Sequence, residues 1–117
     1  MKKLLIIILS IFLFAVPCLA ANNVIGLRNS IEISSIDSDW NDTEYRYVKY
    51  IIFVPGATDD ILVIRQASTT GPTIVYMKSS DGYPRIAYPL GTEIKMFLDY
   101  ADSTLTAGSQ VIILLGR

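Results

Sequence analysis

The sequence predicts an all-β protein: a single antiparallel β-sandwich or jelly roll of about eight short strands after an N-terminal signal peptide. Three observations carry that expectation. Beyond residue 21, no stretch of ten or more residues repeats its apolar positions at helical spacing. Short runs rich in Ile, Val, Tyr and Thr alternate instead with clusters of Gly, Pro, Asn, Asp and Ser. The runs recur at roughly 8–12-residue intervals, the rhythm of sandwiches and jelly rolls. An up-and-down barrel is the alternative architecture. A membrane-spanning barrel is disfavoured, because so short a chain barely supplies eight spanning strands.

Residues 1–20 read as the signal. Lys2 and Lys3 give a basic start, an apolar run extends from Leu4 to Val16 broken only by Ser10, and Pro17 precedes Cys18-Leu19-Ala20-Ala21. Small side chains at Cys18 and Ala20 suit a peptidase that cuts after Ala20. An uncleaved anchor is the rival, and Pro17 and the small residues speak against it, since a spanning helix needs about 20 apolar residues. A lipid-modified Cys18 is disfavoured by the preceding Pro17.

Cleavage leaves a domain of residues 21–117. It carries eight basic residues against eleven acidic ones, too little positive charge for a nucleic-acid partner. Cys18 is the chain's one cysteine, so the domain has no disulfide, and stability falls on core packing and sheet hydrogen bonds. Histidine is absent. The commonest general base and the commonest transition-metal ligand are therefore missing. No nucleophile–base pair of the usual kind can be assembled, and the domain is expected not to be an enzyme. Asp59-Asp60 and the Asp99/Asp102 pair read as charged turns rather than as a hydrolase's carboxylates.

Strands are expected over 24–28, 30–36, 44–54, 61–66, 73–79, 84–88, 92–100 and 110–115. Pro55-Gly56 ends the longest of them, and Thr70-Gly71-Pro72 separates two more. Ser80-Asp81-Gly82 has the chemistry of a tight hairpin, and Ala107-Gly108-Ser109 opens the last strand. Over 92–100, Ile94, Met96, Leu98 and Tyr100 share one face, with Glu93, Lys95 and Asp99 on the other and only Phe97 out of pattern. That strand should be half buried. Strict alternation along 44–54 puts Val48, Tyr50, Ile52 and Val54 in the core, leaving Tyr45, Tyr47, Ile51 and Phe53 beside Lys49 on the opposite face. Both faces are apolar, and so is 111–115. A two-layer sandwich buries one face per sheet, so Tyr45, Tyr47, Ile51 and Phe53 are expected to meet another chain or to lie under loops.

The acidic segment 37–44 is the second candidate site. Asp37, Asp39 and Asn41 have the D-x-D-x-N spacing that opens many calcium loops, in which alternate oxygen ligands point inward. Asp42 stands where such a loop needs Gly, and Val48 where it needs Glu, so only half the pattern is present. A solvated acidic turn is the plainer account. Trp40, the sole tryptophan, fits either a stacking platform for a sugar or a lid on the core. Asn41-Asp42-Thr43 also matches the N-glycosylation triplet.

Asp60-Ile61-Leu62-Val63-Ile64-Arg65, Thr70-Gly71-Pro72-Thr73-Ile74 and Leu105-Thr106-Ala107-Gly108-Ser109-Gln110-Val111 together resemble small β-sandwich structural proteins of bacteriophages and environmental viruses. The resemblance spans about half of the domain. It implies a capsid-surface or fibre-like assembly role, from which the signal peptide is a departure. The expectation is thus an exported structural or surface-contact protein, secreted, periplasmic or at the cell surface, that self-associates or meets another surface protein. No membrane contact is expected after cleavage. A calcium- or carbohydrate-binding module built on 37–44 is the alternative.

Overall fold

The computed structural model describes residues 22–80 and 85–116. The expected signal peptide, residues 1–20, Asp81-Gly82 of the expected hairpin and Pro84 at the start of the expected 84–88 strand lie outside them. Among the described residues there are nine strands and no helix: β1 (Asn23–Gly26), β2 (Ser30–Ser34), β3 (Trp40–Asn41), β4 (Arg46–Val54), β5 (Ile61–Gln66), β6 (Thr73–Lys78), β7 (Ile86–Ile94), β8 (Met96–Leu98) and β9 (Gln110–Leu115). They form two antiparallel sheets in the orders β1-β2-β9-β4-β7 and β3-β8-β5-β6. The β-sandwich expected from the sequence is the fold.

Cross-strand rows of apolar side chains build the inner face of the five-stranded sheet. Ile33, Val111, Phe53 and Ile86 are successive register partners across β2, β9, β4 and β7, and Ile31, Ile113, Ile51 and Tyr88 form the next row. The second sheet answers with Leu62, Ile64, Val75, Met77, Met96 and Leu98, all buried. β-branched side chains dominate the first sheet's rows because they pack well on a pleated surface.

Two departures from strict alternation shape the molecule. The first lies at Lys49. Val48 pairs with Leu115 and Thr92, whereas Tyr50 pairs with Leu114 and Pro89, so Lys49 is an extra residue against β9. Opposite it, β7 inserts Leu90 and Gly91, and Gly91 holds φ of 65°. This is a β-bulge, in which a residue in the left-handed region absorbs the kink. Past the bulge every side chain changes face. Val48, Ile51 and Phe53 are fully buried, while Tyr50 is 45 % exposed and Ile52 and Val54 are half-buried. The assignment of Ile51 and Phe53 to a partner surface, and of Tyr50, Ile52 and Val54 to the core, is therefore corrected. The physical reason is the one-residue slip, which inverts a period-two pattern.

The second departure lies at Lys95. The expected strand 92–100 is two strands in different sheets: β7 ends at Ile94, and β8 begins at Met96. Lys95 is the corner, and its carbonyl accepts a hydrogen bond from the Ala67 amide (2.8 Å). Crossing between layers lets Met96, Phe97 and Leu98 all be buried, which accounts for Phe97.

Candidate functional site

Three places hold the residues to which the sequence points. The carboxylates come first. Asp60 is buried, and its oxygens accept from the amides of Gly56 (3.0 Å), Ala57 (3.2 Å) and Thr106 (3.1 Å) and from the Thr106 hydroxyl (2.7 Å), with the Ser109 hydroxyl 3.0 Å away. Burial alone would raise its pKa. The bonds from Thr106, Ser109 and Gly56 outweigh burial and hold it below the usual carboxylate value. Asp60 thus ties the turn after β4 to the loop before β9. Gly56 permits the approach, because a Cβ there would lie 2.7 Å from the carbonyl oxygens of Thr106 and Ala107.

Asp99 and Asp102 do a similar service for Arg65, whose Nε donates to Asp99 (2.8 Å) and whose Nη2 donates to Asp102. Burial would raise the Asp99 pKa, but the Arg65 hydrogen bond and the Asp102 amide bring it below the usual value. The Ser103 hydroxyl accepts from the Val63 amide (2.9 Å), so the loop 99–104 lies along β5. It covers part of the outer side of the four-stranded sheet, where Val63 and Phe97 are buried. All these carboxylates are engaged with donors of the chain itself.

The outer side of the five-stranded sheet is different. Ile112 and Ile52 are register partners there, flanked by Glu32 on β2 and Ala87 on β7; Leu114 and Tyr50 form the next row with Pro89. Ile52, Val54, Ile112 and Leu114 are only half-buried. The face is shallowly sculpted. One depression of about 430 Å³ is lined by Lys49, Tyr50, Pro89, Leu90 and Gly91, and another of the same volume by Asn29, Lys49, Leu114, Leu115 and Gly116. Lys49 stands between them, its stem against Gly116. Tyr45, at the approach to β4, is 60 % exposed, and Tyr47 is half-buried. The apolar surplus expected along β4 is present, but the bulge leaves Tyr50, Ile52 and Val54 rather than Ile51 and Phe53 on its outer side. Pro89-Leu90-Gly91 inside a strand was the signal for the bulge.

The third place is the acidic segment. Asn22 grips it: its Nδ2 donates to the Ser38 carbonyl (2.9 Å), and its Oδ1 accepts from the amides of Asp37 (3.0 Å) and Ser38 (3.2 Å). Asp39 Oδ1 accepts from the Tyr100 amide (2.8 Å), and Asn41 lies in β3, paired with Phe97. Asp37, Asp39 and Asn41 are exposed, and among the described residues no group of three or more His, Cys, Asp or Glu side chains could hold a metal ion. Trp40 is half-buried against the core. It also lines an open cleft of about 250 Å³ between β1 and the turn that leads into β4. Asp42 is buried in that turn, with Oδ2 accepting from Arg46 Nε (2.9 Å) and Oδ1 from the Glu44 amide (3.2 Å).

No family model, curated protein or solved structure matches the chain.

Proposed function

We propose that this is an exported, non-enzymatic structural protein that assembles through the outer face of its five-stranded sheet. The observation that carries the proposal is that β4 and β9, the two strands most completely paired, are apolar on both sides, while only one side meets the second sheet. Tyr50, Ile52, Ile112 and Leu114 are the contact residues. Completing the burial of a half-covered Ile or Leu contributes on the order of 1 kcal/mol, so a cluster of this size supplies a useful driving force once association entropy is charged against it. A small domain without a disulfide also gains stability from association. The resemblance to phage and viral sandwich proteins supports the same role, and the N-terminal sequence supports export.

Sedimentation velocity tests it. The chain lacking residues 1–20 should sediment as an assembly whose size grows with concentration, and Ile112→Lys should sediment as a folded monomer. A wild type that stays monomeric at high concentration, with no surface partner recovered through this face, would overturn the proposal.

A further inference from the structure

The four-stranded sheet does not reach across β1, and the uncovered corner is the cleft beside Trp40. Its apolar wall comes from β1 and the turn after it: Val24 and Leu27 remain 41 % and 56 % exposed although both are large and apolar. The opposite wall is Trp40 with Asn41, Thr43 and Arg46. Trp40 is the register partner of the inward Leu98 and Asn41 that of the outward Phe97, so the Asn41 side chain lies on the other side of β3. Thr43 is exposed, and its side chain has no hydrogen-bond partner among the described residues. Arg46 is held by Asp42 through Nε, with Glu44 3.8 Å from Nη2, which leaves Nη1 to be turned to a ligand.

We propose that this cleft binds a single neutral sugar ring, with Trp40 against the ring's C–H face and Thr43 and Arg46 hydrogen-bonded to its hydroxyls. The chemistry points there for three reasons. A tryptophan beside aliphatic walls favours a flat ligand with an apolar face. A hydroxyl and a guanidinium offer an acceptor and donors together, as a polyol requires and a hydrocarbon does not. Asp42 and Glu44 already outnumber the charge of Arg46, so an anion gains nothing from the cleft. The volume suits one ring rather than a long oligosaccharide. Asp42 is a positioning residue here, since its buried carboxylate fixes both the turn and the guanidinium. The proposal is independent of the assembly face, which lies on the other side of the five-stranded sheet.

Trp40 is the only tryptophan of the chain, so its fluorescence reads this cleft directly. The domain should be titrated with glucose, galactose, mannose and N-acetylglucosamine, and with glucuronate as the anionic probe. At least one neutral sugar should give a saturable change in Trp40 emission with a dissociation constant on the order of 1 mM. Thr43→Ala should weaken it about three- to tenfold, the loss of one hydrogen bond, and Asn41→Ala, on the other side of β3, should leave it unchanged, neither moving the unfolding midpoint. Ile112→Lys should bind as the wild type does, which separates this test from that of assembly. No saturable change with any neutral sugar up to about 50 mM would overturn the proposal. So would a change that Thr43→Ala leaves intact, tighter binding of glucuronate than of glucose, or emission that follows protein concentration alone, which would give the cleft to a second copy.

Discussion

Asp60 shows how one side chain can substitute for a missing disulfide. Its carboxylate gathers the backbone of Gly56, Ala57 and Thr106 into one node, joining segments about fifty positions apart in sequence. The three amides and the Ser109 hydroxyl converge on Oδ2 and the Thr106 hydroxyl on Oδ1. An asparagine can keep its oxygen on the amides, but every one of these bonds then loses the charge that makes it about twice as strong as a neutral one. Asp60→Asn should therefore lower stability by about 2–3 kcal/mol in a urea titration at neutral pH. Asp60 and Asp99 both have folded pKa values below the unfolded carboxylate value. Below about pH 4 the unfolded chain takes up protons that the folded chain resists, so stability present at neutral pH is lost as acid approaches the folded values. The melting temperature of the wild type should fall steeply in that window, and Asp60→Asn should flatten part of the slope. An acid limb identical in both proteins would remove Asp60 from the account.

At the scale of the element, the decisive feature is the bulge where Lys49 meets Leu90 and Gly91. Gly91 takes up a left-handed conformation, and Gly91→Ala should cost about 1 kcal/mol through backbone strain, with circular dichroism unchanged. The bulge also explains what the sequence could and could not disclose. β5 and β9 were legible to the residue, because each holds an apolar run, Ile61–Ile64 and Val111–Leu115, with turn residues beyond its start. β3 was not, since two residues carry no periodicity. Along β4 the apolar content was legible but its facing was not. Alternation fixes sides only relative to a register, and the slip that changes register is set by the partner strands. Phe97 was the visible trace of the other irregularity, the crossing at Lys95. Of the sites, the apolar surplus and the Trp40 segment could be read from composition. The role of Asn22, which clamps 37–39 from fifteen residues away, could not.

At the scale of the whole molecule, the two layers are unequally dressed. The four-stranded sheet has the loop 99–104 and the Arg65 ion-pair network on its outer side. The five-stranded sheet leaves Tyr50, Ile52, Ile112 and Leu114 there, beside Lys49 and Glu32. Tyr76 of β6 stays 60 % exposed on the four-stranded sheet, but the contiguous apolar rows lie on the five-stranded one and favour association through that layer, which single charges are enough to test. Neighbouring isoleucines of β4 give the most direct measurement, because the bulge places them on opposite sides. Sedimentation velocity should be run on Ile51→Lys and Ile52→Lys side by side. Ile51 is fully buried, and a lysine there strands a charge in the core at a cost of several kcal/mol, comparable to the stability of a small domain. Ile51→Lys should lose its compact folded boundary, while Ile52→Lys should sediment as a compact monomer where the wild type is assembled. A folded Ile51→Lys, or an Ile52→Lys that assembles like the wild type, would contradict this arrangement.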